Sequence, residues 1–306
     1  MTAQPQTLLE AIRPTTLIRS TKLNEYLGRD VTIATETFQH TGSFKFRAAY
    51  NLALNLPNQE ILTASSGNFG QALAYACKLL EKQCTVVMPA TSAQVKIEAV
   101  RSYGAVVDLV DTTKVGRNER VAELAGQMPD AYFASAYDDQ LVIDGNASLG
   151  DELAEKDFDL IISPVGGGGL SSGILTGLRR SGSKAEVYGA EPLLGNDAAR
   201  SLAAGKLIRN ETEPLTLADG ARTISLGDLN WEILRSGVAG IIEVSEKDIQ
   251  TAVRLYFSLA NLKSEPTGGL SLGAVLAQPD LFRQKRICLV VSGGNVDPAV
   301  YSDLIS

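Results

Sequence analysis

A lysine directly after an aromatic residue, in a Gly/Ser loop that opens an apolar helical stretch, suits Schiff-base chemistry. Lys45 stands so in the run Thr41-Gly42-Ser43-Phe44-Lys45-Phe46-Arg47, with Phe46, Ala48, Ala49 and Leu52 forming the apolar side of the stretch. An amine in a pocket lowers its pKa easily, and only its neutral form attacks an aldehyde. Taken alone a lysine is more often a solvated surface charge, so the neighbouring motifs decide. Gly166, Gly167, Gly168 and Gly169 lie between the apolar run Leu160–Val165 and the helix-like spacing of Leu170–Leu178. Four glycines there leave bare N–H groups at the positive end of a helix dipole, which suits a phosphate; the alternative is a flexible linker. No Lys-Ser/Thr follows, as the loops of nucleotide hydrolases require, and the spacing is not that of the dinucleotide fingerprint. Ser65, Ser66, Gly67 and Asn68 sit between an apolar strand and a helix carrying Leu73, Ala76, Cys77 and Leu80. They read either as ordinary capping residues or as a nest for a carboxylate. Ser292 ends the buried run Ile287–Val291, at the strand edge where open α/β sheets bind ligands.

Strand-like segments at Val31–Thr35, Ile61–Ala64, Thr85–Met88, Val106–Val110, Leu160–Pro164, Val187–Ala190 and Ile287–Val291 position these residues. Helical patterns separate most of them, as at Gln71–Leu80, Ala93–Tyr103, Arg117–Gln127 and Lys247–Leu262. Such alternation predicts an α/β protein of mostly parallel sheets with helices on both faces. A chain of 306 residues can bury a large core and form two lobes. Its net charge of −7 and lack of a basic run argue against a nucleic-acid partner. Cys77, Cys84 and Cys288 all lie in apolar stretches, which suggests a reducing compartment without a disulfide framework. No segment is long and apolar enough to cross a membrane, and the first residues lack a basic start and a hydrophobic signal core. A cytoplasmic protein is expected. His40 is the single histidine, so histidine triads and histidine zinc sites would all have to use that residue. It reads equally as a surface or cap residue and as a functional one.

In order along the chain, FQHTGSFKFRAA, SSGNFGQA, VGGGGL, GAEP, ADGART, SEPTGG and VVSGGNVD resemble the serine/threonine dehydratase and serine racemase family. That family belongs to the fold-type II (tryptophan synthase β-like) pyridoxal-phosphate enzymes. The resemblance implies a large cofactor-binding domain of residues 1–58 and 137–306, with 59–136 as a smaller domain and the cofactor between them. By position, Lys45 would hold pyridoxal 5'-phosphate as a Schiff base, with Phe44 packed on its ring. Gly166 to Gly169 would take the phosphate, Asn68 the ring's 3-oxygen and Ser292 the pyridine nitrogen. The substrate would bind at Ser65, Ser66, Gly67, Asn68 and Phe69. Glu191, Gly195 and Asp197 match the family's metal ligands, and two carboxylates with a carbonyl suit Mg²⁺, Ca²⁺ or Mn²⁺. Asp197 reads equally as the cap of a helix beginning at Ala198. A homodimer is implied as well.

The implied reaction is β-elimination from a hydroxy amino acid such as threonine or serine, giving a 2-oxo acid and ammonia. A neutral Ser292 makes the ring a weaker electron sink than a carboxylate would, so early loss of a β-leaving group is favoured. Ser66 occupies the place where the family's racemases carry an acid on the opposite face of the substrate, which implies racemisation in addition. A serine or aspartate-type racemase and a threo-3-hydroxyaspartate dehydratase are the alternatives. Cysteine-synthase-like β-replacement and a catalytically inactive cofactor-binding protein are the rivals. Three segments depart from the family's pattern: Phe69 replaces the usual histidine, Tyr137-Asp138-Asp139 resembles the bacterial dehydratases more than the animal racemases, and Asp144-Gly145-Asn146 replaces Ala-Gly-Gln. If Phe69 lines the pocket, its apolar ring suits a β-methyl group, as in threonine; otherwise it packs between lobes.

Overall fold

The computed structural model describes residues 5–65, 67–92 and 94–306, with the side chains of Val95 and Asn118 left aside. Among the described residues ten strands form two sheets: β1 Thr16–Ile18, β2 Val31–Thr35, β3 Glu60–Ala64, β4 Gln83–Pro89, β5 Val106–Val110, β6 Tyr132–Phe133, β7 Leu160–Pro164, β8 Glu186–Pro192, β9 Gly240–Val244 and β10 Ile287–Val291. The larger sheet has six strands in the order β1-β2-β10-β7-β8-β9, and only the β1–β2 pair is antiparallel. The smaller has four parallel strands in the order β5-β4-β3-β6, all drawn from residues 60–133.

The central strands β7 and β10 are buried along their whole length. Helices cover both faces, so these strands, Leu-Ile-Ile-Ser-Pro and Ile-Cys-Leu-Val-Val, read as mainly apolar runs rather than alternating ones. Two hydrophobic clusters lie on the two sides of the larger sheet, one around Ile33, Leu289 and Tyr256, the other around Ile161, Val290 and Trp231. A third joins the helix Lys45–Asn55 to the smaller sheet through Phe46, Tyr50, Leu73 and Val86. Thus the helix that starts at Lys45 packs its buried side on the smaller sheet's cluster.

The element expectations hold closely, and β2, β5, β7 and β10 match their expected limits residue for residue. Strands β1, β6 and β9 were not expected. β6 is only a two-residue strand, β1 is a three-residue edge strand, and β9 is a partly exposed edge strand, so none carries a strong apolar run.

Candidate active site

Strands β7 and β10 are parallel neighbours, with Leu160 opposite Ile287 and Ile162 opposite Leu289. Their C-terminal ends therefore release Gly166 and Ser292 side by side, where an open parallel sheet offers a crevice. Residues 42–44 are zipped onto the same edge: Phe44 N donates to Ser292 O at 3.0 Å, and Gly294 N donates to Gly42 O at 3.0 Å. That pairing starts the helix Lys45–Asn55 at the mouth of the crevice. Arg47, fully buried two residues on, anchors it with Nε to Glu36 Oε2 at 2.7 Å and Nη1 to Glu152 Oε1 at 2.7 Å.

A cleft of about 1070 Å³ opens there between the two sheets. Phe44, Lys45, Ser65, Gly67, Asn68, Phe69, Gly166, Gly167, Gly168, Gly169 and Ser292 all line it. Ser66 falls outside the described residues. Lys45 Nζ donates to Ala136 O at 2.7 Å and lies 4.9 Å from the Phe44 ring centre and 5.7 Å from that of Phe69. Burial lowers its pKa to about 8, against a smaller opposing pull from the Glu265 carboxylate. The amine is thus neutral to a useful degree near neutrality, as imine formation requires.

The glycine loop is shaped to be bare. A Cβ on Gly167 would sit 2.3 Å from the Tyr137 ring, and Gly168 has φ +94°, where a side chain is strained. The helix Gly169–Arg180 begins without a side-chain cap, which leaves its first N–H groups for a ligand. Ser292 is 1% exposed, and its hydroxyl has no hydrogen-bond partner among the described residues. A buried hydroxyl without a partner is costly unless a ligand completes it. These features fit pyridoxal phosphate: a phosphate on the glycine loop, a ring nitrogen at Ser292 and a carbonyl carbon at Lys45.

Asn68 is more constrained than its motif suggests. Its Nδ2 lies 3.0 Å from both oxygens of Glu265, and its Oδ1 accepts from Asn295 Nδ2 at 2.9 Å. Glu265 is itself buried, and burial, followed by repulsion from Asp219, raises its pKa to about 7. Sequence reasoning assigns no role to Glu265 or Asn295, although SEPTGG and VVSGGNVD contain them; their partner Asn68 is 197 and 227 residues away. Ser65 Oγ accepts from Gly70 N at 3.0 Å, so part of this loop serves as the cap that capping chemistry predicts. His40 packs edge-on against Phe46 with ring centres 4.9 Å apart, and burial lowers its pKa; it is not part of the cleft lining.

Glu191 and Asp197 come together outside the cleft. Glu191, next to last in β8, caps the helix Asp197–Ala204, accepting from Ala198 N at 3.1 Å and Ala199 N at 2.6 Å. Asp197 begins that helix and accepts from Leu226 N at 3.0 Å and Asn210 Nδ2 at 2.9 Å. Gly195 lies between them, in the turn Leu193–Gly195. Burial is the main reason that Glu191 rises to about 8 and Asp197 to about 7, and repulsion by Asp197 adds to the rise at Glu191. Neither makes an ion pair among the described residues, and no cluster of three or more His, Cys, Asp or Glu exists among them. The donor set still fits a hard cation: two desolvated carboxylates, with repulsion by Asp197 acting on Glu191, that form no ion pair among the described residues.

The model of the family described as "Pyridoxal-phosphate dependent enzyme" matches residues 8–293. A β-hydroxyaspartate dehydratase of Paracoccus denitrificans is 34% identical over 303 residues, covering 97% of this chain and 95% of that protein. A serine racemase of Schizosaccharomyces pombe is 34% identical over 298 residues, with 95% and 92% covered. Among solved structures, a threonine deaminase from T.th. superposes with a TM-score of 0.90 at 38% identity, with 95% of each chain covered. The lysine, the bare glycine loop and the unpaired serine thus stand in a chain that belongs to the family of pyridoxal-phosphate-dependent enzymes.

Proposed function

We propose that the chain is a dehydratase, or ammonia-lyase, of a hydroxy amino acid such as threonine or serine, with amino-acid racemase activity beside it. The observation that carries this reading is Ser292, a buried neutral hydroxyl without a partner among the described residues, at the strand end that lines the same cleft as Lys45. When bound, pyridoxal phosphate withdraws electrons from the substrate's α-carbon and makes its proton acidic. The glycine loop and the N-terminus of the helix Gly169–Arg180 would hold the phosphate, and Asn68 would hydrogen-bond the 3-oxygen. Ser292, being neutral, would leave the ring a modest electron sink, which favours early loss of a β-hydroxyl. Lys45 Nζ would take the α-proton and hand it to the departing hydroxyl, which leaves as water. The released enamine then adds water and loses ammonia, which gives the 2-oxo acid. Residues 1–58 and 137–306 serve as the cofactor-bearing lobe, and 59–136 as the lobe that closes on the substrate. Two ion pairs that join cleft-lining residues of the two lobes, Lys96–Asp219 and Arg117–Glu213, support that division. The reading includes a homodimer and a cytoplasmic setting; the free, buried Cys77, Cys84 and Cys288 support the latter. A structural Mg²⁺, Ca²⁺ or Mn²⁺ at Glu191, Gly195 and Asp197 completes it.

The test is a screen of L- and D-serine, L- and D-threonine and the 3-hydroxyaspartates, following 2-oxo acids and chirality together. Absence of 2-oxo acid from every substrate, in protein that holds the cofactor, would sink the dehydratase reading. Within the screen, Ser66→Ala is expected to cut interconversion of L- and D-serine at least ~10-fold, while elimination from the L-enantiomer persists through Lys45. Equal loss of both activities would make Ser66 a binding residue. Phe69, 2% exposed and beside Lys45 Nζ, lines the wall as a ring that cannot pass protons. Phe69→His is expected to move the ratio of specificity constants from threonine towards serine or hydroxyaspartate. An unchanged ratio in folded protein leaves Phe69 as packing.

A further inference from the structure

The cleft holds a cation that makes no ion pair among the described residues and has no part in the chemistry above. Besides Lys45, four basic residues line it: Lys96, Arg117, Arg209 and Arg222. Lys96 pairs with Asp219 at 3.4 Å, Arg117 with Glu213, and Arg209 lies 3.7 Å from Asp228. Arg222 forms no ion pair among the described residues. Its Nε and Nη2 both donate to Thr216 O, at 2.9 and 2.6 Å, which steadies one edge of the guanidinium without neutralising it. A guanidinium has five N–H donors in a fixed fork, so the remaining ones are available to an anion.

The loop that carries Arg222 is fixed against the site. A Cβ on Gly166 would lie 2.9 Å from Ala221 Cα and 2.9 Å from Gly220 O, so the chain just before Arg222 backs the glycine loop. Gly220 N also donates to Thr267 Oγ1 at 2.9 Å, on the helix Pro266–Ala277. The next residue, Thr223, also lines the cleft, and its hydroxyl is buried without a partner among the described residues. Arg222 is exposed and Thr223 keeps a buried hydroxyl, and both residues line the cleft.

We propose that Arg222 is a specificity residue that selects a hydroxy amino acid bearing a second carboxylate, of the 3-hydroxyaspartate class. This rests on the cleft being the substrate site of the enzyme proposed above. It also outweighs the expectation drawn from Phe69 alone. One methyl group against an aromatic wall discriminates by about fourfold, whereas a charge-assisted hydrogen bond discriminates by roughly tenfold or more. A neutral β-substituent leaves the guanidinium to its carbonyl and water; a carboxylate gives it an ionic partner.

The test uses the holoenzyme and three proteins: the natural chain, Arg222→Gln and Arg222→Lys. The natural chain is expected to prefer a 3-hydroxyaspartate to threonine by at least tenfold in kcat/KM. Arg222→Gln is expected to lower that preference at least tenfold, and Arg222→Lys to restore part of it. Succinate, an unreactive dicarboxylate, is expected to inhibit the natural chain more strongly than butyrate, and Arg222→Gln to lose the difference. Cofactor affinity, titrated by absorbance, is expected to change less than threefold. If it falls tenfold or more in Arg222→Gln, the guanidinium serves the cofactor's phosphate and the proposal is overturned. Equal losses on all substrates, or no preference for the acidic substrate in the natural chain, overturn it as well. The dehydratase reading fails separately, by absence of any 2-oxo acid.

Discussion

Lys45→Ala is expected to remove the Schiff-base absorbance of the purified protein and to lower 2-oxo acid formation by roughly 10²–10⁴-fold or more. The natural protein should be yellow, and borohydride should fix the cofactor on Lys45. The size of the effect follows from the double duty of one amine, as the cofactor's anchor and as the base for the α-proton. Ala136 O holds Nζ, and the Phe44 and Phe69 rings flank it. Burial sets its pKa at about 8. Because the folded pKa lies below the usual lysine value, the neutral fraction rises as pH climbs towards and past 8. Loading of the cofactor-free protein should therefore speed up about tenfold between pH 6.5 and 7.5, then level off above 8. A stopped-flow series with added pyridoxal phosphate measures this without any turnover. The assignment fails if Lys45→Ala shows the same band with no amine added.

The chemistry of this site is more legible in the sequence than its support. Lys45, the glycine loop and Ser292 each stand next to a long apolar segment, so residue type, strand and helix announce one another locally. Glu265 and Asn295 cannot be assigned in that way. Their role lies in pinning both ends of the Asn68 amide, and that contact exists only once the two sheets face each other. Arg47 is a similar case: its charge suits a solvated face, yet two glutamates from distant elements make it a buried anchor of the lysine helix. In the sequence Tyr137 stands out only as a departure from a pattern. The structure shows that its ring takes the space that a side chain on Gly167 would need. Long-range partnerships of this kind leave no local periodicity to read. The strands missed, β1, β6 and β9, fail for a related reason, since short or half-exposed edge strands are defined by the neighbour they pair with.

Chelation is expected to lower the melting temperature by about 5 °C, and Mg²⁺, Ca²⁺ or Mn²⁺ to restore it. A cation at ~100 times its Kd adds about 2.7 kcal/mol, and at this chain length each kcal/mol moves Tm by about 2 °C. The pH dependence has a definite sign. Glu191 rises from 4.5 to about 8 and Asp197 from 3.8 to about 7, chiefly through burial. A raised acid contributes its stability below the unfolded value and loses it as pH climbs through the folded one. The metal-free protein should therefore weaken between about pH 4 and pH 8. A cation needs both carboxylates ionised, so its hold strengthens over the same window. The gap between chelated and cation-loaded protein should be small at pH 5 and widest near pH 8. Glu191→Gln, which keeps an acceptor for one of Ala198 N and Ala199 N, should melt lower than the natural chain but at one temperature with or without chelator. The connection to the active site is short: Asp197 accepts from Leu226 N, and Leu226 Cδ2 lies 3.1 Å from where a Cβ on Gly168 would be. Loosening the acidic pair should then weaken cofactor binding, measurable as a higher Kd for pyridoxal phosphate after chelation at pH 8. A melting curve indifferent to chelator and cation at both pH values, with no metal found by elemental analysis, would remove the cation and leave Glu191 as a helix cap.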